Sequence, residues 1–177
     1  MTIRIRIQQQ DFDLADEYRV LREIDSTVGA VVTFSGLVRD FEAGAQEQIE
    51  GPAKDPAKGQ AKQQKQSIDS LSLQHYPGMT ESLLKDIVEA ALNRWALLGV
   101  TVIHRVGKLL PTEQIVFVGV ASQHRAEAFE AAQFVMDYLK TKATFWKQVS
   151  QDGESFWVES KQTDQQAAER WDNSDAC

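Results

Sequence analysis

The stretch IVFVGVASQHRAEAFEAAQFVMDYLKTKATFWK, residues 115–147, decides how the rest of the chain is read. From Ile115 to Ala121 it is apolar and rich in β-branched residues, with Gly119 the one interruption, which predicts a central strand covered on both faces. Ser122 follows as the expected N-cap, its hydroxyl able to accept from free backbone N–H groups. Ala128, Phe129, Ala132, Val135, Met136 and Leu139 then recur at i, i+3, i+4 and i+7, predicting an amphipathic helix of about five turns with one buried stripe. Its first turn holds His124 and Arg125, its last holds Lys140, and Lys142 and Lys147 make the exit basic.

At about 1.5 Å of rise per residue, His124 and Lys140 stand roughly 24 Å apart along such a helix. One small ligand cannot touch both. Either a second copy of the chain supplies one end to a shared site, most simply through a two-fold dimer, or the two ends are solvated helix termini. Lys140 suits the negative end of the helix dipole, whereas Arg125 gains nothing from the positive end.

With 177 residues, 42% of them apolar and 25% charged, the chain suits a single domain spanning 1–177 with a sizeable core. Its net charge of −7 argues against general binding to nucleic acid or anionic membranes, so an anionic ligand has to be met by a local basic cluster. No apolar run reaches about 18 residues and no basic-then-apolar signal opens the chain, from which a cytoplasmic location is expected. The only cysteine is Cys177, which leaves no basis for a disulfide framework, a cysteine-rich zinc site or a pocketed catalytic thiol.

Along the chain, TIRIRIQ alternates Ile3, Ile5 and Ile7 with polar residues and reads as a strand with one buried face. Asp13 is placed to cap a short helix with Leu14, Tyr18 and Leu21 on its apolar side. In VGAVVTFSGLVRD, Val31, Val32 and Phe34 predict a strand, Gly36 a bulge or close approach, and Arg39 beside Asp40 a surface ion pair at the strand end. Residues 43–67 turn abruptly to Gln, Lys, Ala, Gly and Pro, which predicts a flexible insert between strands. Leu71, Leu73 and His75 alternate as another strand, Pro77-Gly78 signals a turn, and Thr80 is the expected cap of a helix whose broad apolar face carries Leu83, Leu84, Ile87, Val88, Ala91, Leu92 and Trp95. Val100–Val106 reads as a strand, and both His75 and His104 read as strand histidines rather than metal ligands. TFWKQV and SFWVES flank Asp152-Gly153, a hairpin signal, and QQAAERWDNSDAC suggests one helical turn with Trp171 before a frayed tail at 172–177. Helices and strands mix without a βαβ rhythm, so the expected class is α+β: a mixed or antiparallel sheet packed with two long helices, plus a small C-terminal β-hairpin subdomain.

The chain has no Gly-rich phosphate loop, no GxSxG, no HExxH and no CxxC. Arg39, His124, Arg125, Lys140 and Lys147 remain: anion binders, one imidazole near its titration range, and lysines able to act as acid, base or nucleophile. These point to a phosphorylated or carboxylated ligand and to no particular reaction.

The segments GAVVTFSGLVRD (29–40), LSLQHYPGM (71–79), NRWALLGVTVIHRVGKLLPTEQIVFVGVASQHRAEAFEAAQFVMDYLKTKATFWK (93–147) and TDQQAAERW (163–171) resemble the catalytic, or large, subunit of molybdopterin synthase. The resemblance covers most of the chain outside the first 27 residues and the insert. It implies an α/β-hammerhead-like fold and a sulfurtransferase that converts cyclic pyranopterin monophosphate (precursor Z) to molybdopterin by installing a dithiolene. The sulfur would arrive as a thiocarboxylate on the Gly-Gly tail of a small ubiquitin-like subunit. Two large subunits would form the homodimeric centre of a heterotetramer, with no metal and no cofactor of their own. Position by position, Lys140 and Lys147 match the family's catalytic lysines. Arg39, His124, Arg125, Gln148 and Val149 join those lysines as substrate-binding positions, with His124 and Arg125 reaching the pocket from the opposite subunit. Phe34 and Met136 match the channel for the partner's tail. Leu37, Thr144 and Lys161 depart from the family's frequent lysine, proline and arginine. Two other classes stay open on the residues alone: a non-catalytic module that docks a ubiquitin-like tail, and a sensor for a phosphorylated pterin.

Overall fold

The apolar run predicted as a central strand lies inside a four-stranded sheet. In the computed structural model, which describes residues 1–40, 67–158 and 162–172, the strands are β1 (Thr2–Gln8), β2 (Ala30–Leu37), β3 (Ser70–His75), β4 (Leu97–Arg105), β5 (Gly107–Leu109), β6 (Gln114–Ser122), β7 (Phe145–Gln151) and β8 (Glu154–Val158). The helices are α1 (Leu14–Arg22), α2 (Met79–Arg94), α3 (Arg125–Thr141) and α4 (Gln162–Asp172). The insert expected at 43–67 lies, Ser67 apart, outside the described residues, as does the tail beyond Asp172.

The first sheet has the order β1-β4-β6-β2, with β1 parallel to β4 and the other pairs antiparallel. Strand β6 is covered on both faces. Its Val116, Val118 and Val120 point into the main core with α2 and α3, while Phe117 and Ala121 meet Phe12, Leu21 and Ile103 beneath α1. Alternation along the strand sends successive side chains to opposite faces, so both sets must be apolar. The second sheet, β5-β3-β7-β8, closes over Val38, Ile68, Leu71, Leu73, Leu109 and Val149. The hairpin β7–β8 turns at Asp152 and Gly153, both with positive φ as a type I′ turn demands. Strand β7 also pairs with β3 along six residues, which joins the hairpin to the rest of the second sheet.

Bulging at Gly36 occurs as expected: the β2–β6 register shifts between Gly36 and Leu37. Asp13 caps α1 by accepting from the Asp16 N–H at 2.9 Å. The helix's inner face differs from the expected one, since Leu14 and Tyr18 are exposed while Glu17 is buried against the edge strand, where it pairs with Arg4 (3.0 Å) and Arg6. At α2 the cap is Gly78 rather than Thr80, because the Pro77-Gly78 turn needs the positive φ of 84° that glycine supplies. The Thr80 hydroxyl donates instead to the carbonyls of Tyr76 and Thr144, at 3.2 and 3.3 Å.

Ser122 likewise ends β6 rather than capping α3. The N-cap is His124, and Ser122 Oγ works one step back, accepting from the His124 N–H (3.3 Å) and donating to the Glu127 carboxylate (2.8 Å). The buried stripe of α3 keeps Ala128, Ala132, Val135 and Leu139 as expected and is wider on one side. Ala131, Phe134 and Tyr138 are inside, whereas Phe129 is 62% exposed. The cause is α4, a helix of eleven residues where a single turn was expected. Its Trp171 meets Phe134 and Trp95 edge-on, at ring separations of 5.5 and 5.8 Å, and gives that side of α3 an apolar neighbour.

Candidate functional site

Strand β2 and helix α3 leave a groove between them that α4 closes at one end. The groove has a volume of about 500 Å³ and is lined by Val32, Thr33 and Phe34 from β2, by Phe129, Ala132, Gln133, Met136, Asp137 and Lys140 from α3, and by Asp164 from α4. Phe34 and Met136 thus share one wall system with Lys140. The groove is mostly apolar along its length, and its charged lining is Asp137, Lys140 and Asp164, with Lys140 Nζ 3.3 Å from Asp164 Oδ1. A concave apolar slot with a few polar groups at one end is the usual form of a ligand site.

Register places the other cations. Strands β2 and β6 run antiparallel, with Ala30 opposite Ser122 and Leu37 opposite Gln114. Arg39, exposed two residues beyond β2, therefore lies at the start of β6, toward which α3 returns. Val38 is tied there by backbone bonds with Glu113 and Thr112, at 2.9 and 2.8 Å. Strand β7 begins at the same end, since Phe145 stacks on His104 at 3.7 Å and His104 pairs with Val116. Lys147 is half-buried in β7 and shares the face of Phe145 and Val149. Val149 itself is buried in the second core, and Gln148 lies on the opposite face of the strand. Lys142 sits over the Tyr138 ring at 3.8 Å. His124 and Arg125, both exposed, stand at the far end of α3. One chain thus brings Arg39, Lys140 and Lys147 to a common end and leaves His124 and Arg125 away from it.

Of the two strand histidines, His104 is a core residue. Its Nδ1 lies 2.8 Å from the Arg105 carbonyl, and burial pushes its pKa down from 6.5 to about 4, so the ring is neutral near pH 7. His75 Nε2 stands 3.4 Å from Glu81 Oε1. Glu81 is held below the usual carboxylate range: against a desolvation penalty, its own and the Gly78 backbone N–H and His75 favour its charged form. Among the described residues, no group of three His, Cys, Asp or Glu side chains is arranged to hold a metal ion, and no helix is long and apolar enough to cross a membrane.

A family model described as "MoaE protein" matches residues 7–142. The chain belongs to the MoaE family. It is 48% identical over 168 residues to the molybdopterin synthase catalytic subunit of Escherichia coli strain K12, covering 95% of this chain and 97% of that one. It is 49% identical over 172 residues to the protein of the same name from Mesorhizobium japonicum, covering 96% and 94%. Its fold matches the molybdopterin biosynthesis MoaE protein from Burkholderia ambifaria MC40-6 with a TM-score of 0.73 at 39% identity, over 97% of this chain and 99% of that one.

Within this MoaE chain the groove contains residues that the sequence does not mark as site residues. Val32, Phe129 and Gln133 line it, and so does Asp164. Phe129 was assigned to the core by helical spacing. Asp164 lies in TDQQAAERW, a stretch that carries the family resemblance but no motif marking a site.

Proposed function

We propose that this chain is the catalytic subunit of a molybdopterin synthase, a sulfurtransferase that converts precursor Z to molybdopterin with sulfur from the thiocarboxylated tail of a small ubiquitin-like subunit. The observation that carries the reading is the groove between Phe34 and Met136 that ends at Lys140. A Gly-Gly tail has no side chains and fits a narrow apolar slot in extended form, and its terminal thiocarboxylate is an anion that an ammonium attracts. Lys140 then assists the attack of the thiocarboxylate sulfur on the pterin side chain, as acid/base or through a transient acyl link. Lys147 and Arg39 approach from the same end, with Arg39 suited to phosphate through its planar fork. Gln148 and Val149 flank them on β7; as Val149's side chain is in the core, only its backbone is available to substrate.

His124 and Arg125 complete the pocket from a second copy of the chain, so the working unit is a homodimer carrying two small subunits. The reaction belongs in the cytoplasm. The deciding experiment mixes the purified protein, the thiocarboxylated small subunit and precursor Z, and follows the dithiolene product by mass spectrometry. Lys140→Ala is expected to slow product formation by about 10²-fold or more, in the range seen for loss of an acid/base group. A normal rate in that variant overturns the role given to Lys140.

A further inference from the structure

The carboxylate facing Lys140 comes from a helix whose attachment to the molecule does not depend on that contact. Ala168 of α4 is buried in the main core. Trp171 packs on Phe134 and Trp95, its Nε1 donates to Asp137 Oδ2 at 2.8 Å, and its carbonyl accepts from Arg94 at 3.1 Å. Arg170 pairs with the same Asp137 carboxylate. Asp164 lies about two turns upstream, at the groove, with Lys140 Nζ at 3.3 Å. The two side chains are 53% and 26% exposed, and a pair this open adds only about 0–1 kcal/mol to stability. The pair therefore does little to hold α4 on. Its other effect falls on the lysine, a stem with four rotatable bonds and about 2 kcal/mol of rotamer entropy, ending in a groove whose other walls are largely apolar. Asp137, the other acid in the groove, is already engaged by Arg170 and Trp171.

We propose that Asp164 is a positioning residue: anchored on α4, its carboxylate holds the Lys140 ammonium at the closed end of the groove in the rotamer from which it meets the tail and the pterin. This rests on the role given to Lys140 above. It also predicts a division of effects. Asp164 is an anion, so it gives no attraction to an anionic tail, and its loss does not weaken binding of the small subunit. The loss appears in turnover, because an ammonium free to wander spends most of its time out of line with the reacting atoms.

The test compares the full-length chain with Asp164→Asn, Asp164→Glu, Asp137→Asn and Lys140→Ala variants, each assayed with thiocarboxylated small subunit and precursor Z. Asp164→Asn is expected to lower the rate at saturation about tenfold. Its half-saturating pterin concentration, its Kd for the small subunit and its Tm stay within error of the parent. Asp164→Glu is expected to keep at least half the parent rate. Asp137→Asn marks an undocked α4 through a lower Tm and faster amide exchange across 162–172. A parent rate in Asp164→Asn beside an inactive Lys140→Ala overturns the positioning role alone. A parent rate in Lys140→Ala overturns the reading on which it rests. Asp164→Asn losing activity together with the Tm and exchange protection lost by Asp137→Asn also overturns it, as does a glutamate no faster than the asparagine.

Discussion

His104 lies flat against Phe145 at 3.7 Å, with its Nδ1 on the Arg105 carbonyl, and it titrates near 4 instead of 6.5. Burial is the main cause; the Arg105 carbonyl acts the other way, and nearby His75 adds a smaller push down. Because the folded pKa is below the unfolded one, the unfolded chain takes up a proton at this site between pH 6.5 and about 4 while the folded chain does not. Stability from this group is complete above pH 6.5 and is lost as the pH falls toward 4, by about 3 kcal/mol in all. Urea midpoints measured across that window should fall. In His104→Phe, which keeps a ring against Phe145, the fall should shrink by the equivalent of one proton; an unchanged pH slope would contradict it. The same stacking places the start of β7, and with it Lys147 two residues on, so His104 belongs to the support of the basic end without touching substrate.

At the scale of elements, Gly119 shows how a residue that breaks a pattern can serve a packing purpose. A Cβ there would meet Leu21 Cδ1 at 2.4 Å and the Phe117 ring at 2.7 Å, so α1 can lie on β6 only over a bare backbone. Gly119→Ala should destabilise by about 1–3 kcal/mol in chemical denaturation, through overpacking. Trp171→Ala, which removes the aromatic anchor of α4 and opens a gap beside Phe134, should cost about 2–4 kcal/mol. It should also release the Lys140–Asp164 pair, detectable as a lower turnover at unchanged affinity for the small subunit. Both elements bear on what was legible beforehand. Strand β6 and helix α3 were readable because a run of β-branched residues and a 3.6-residue period each have one physical meaning. Spacing puts Phe129 on the buried stripe and leaves Phe134 off it because α3 carries apolar residues around much of its circumference, and only α4 decides which of them is covered. That helix contains few large apolar residues, so its polar sequence gave little sign that Trp171 would dock. The caps missed by two residues for a related reason: Ser122 and Thr80 have the right chemistry, but the positive φ at Gly78 and the length of β6 set where the helices start. Among the site residues, Lys140, Phe34 and Met136 could be named from a motif, and the structure supplies the groove that joins them. Asp164 needed the tertiary contact.

For the whole molecule, the separation of His124 and Arg125 from Lys140 along α3 leads to a test that needs no structure of the dimer. In a two-fold assembly each pocket takes its lysine from one copy and its His124–Arg125 pair from the other. Lys140→Ala and His124→Ala chains are each expected to be inactive alone. Unfolded and refolded together in equal amounts, they should recover about a quarter of the parent activity, since half the dimers are mixed and one of the two pockets in each mixed dimer carries neither change. No recovery in verified mixed dimers would mean that each pocket is built from a single chain. Added salt should weaken the attraction of an anionic tail to this exposed basic end, so the small subunit's association rate should fall as ionic strength rises.

The parallel pairing of β1 with β4, Thr2 opposite Gly99 and Gln8 opposite Arg105, bears on how the polypeptide emerges from the ribosome. β1 is translated long before β4, its one neighbour among the described strands, and at about 5–20 residues per second it waits roughly 5–20 s for that neighbour. During the wait Ile3, Ile5 and Ile7 form a row that could pair with other nascent chains. Arg4 and Arg6 place positive charge on the opposite face, and Glu17, eleven positions after Arg6, is the acid that accepts both. Charged side chains on a strand at the sheet's edge oppose pairing with other chains, and in β1 they do so before β4 has been made as well as after.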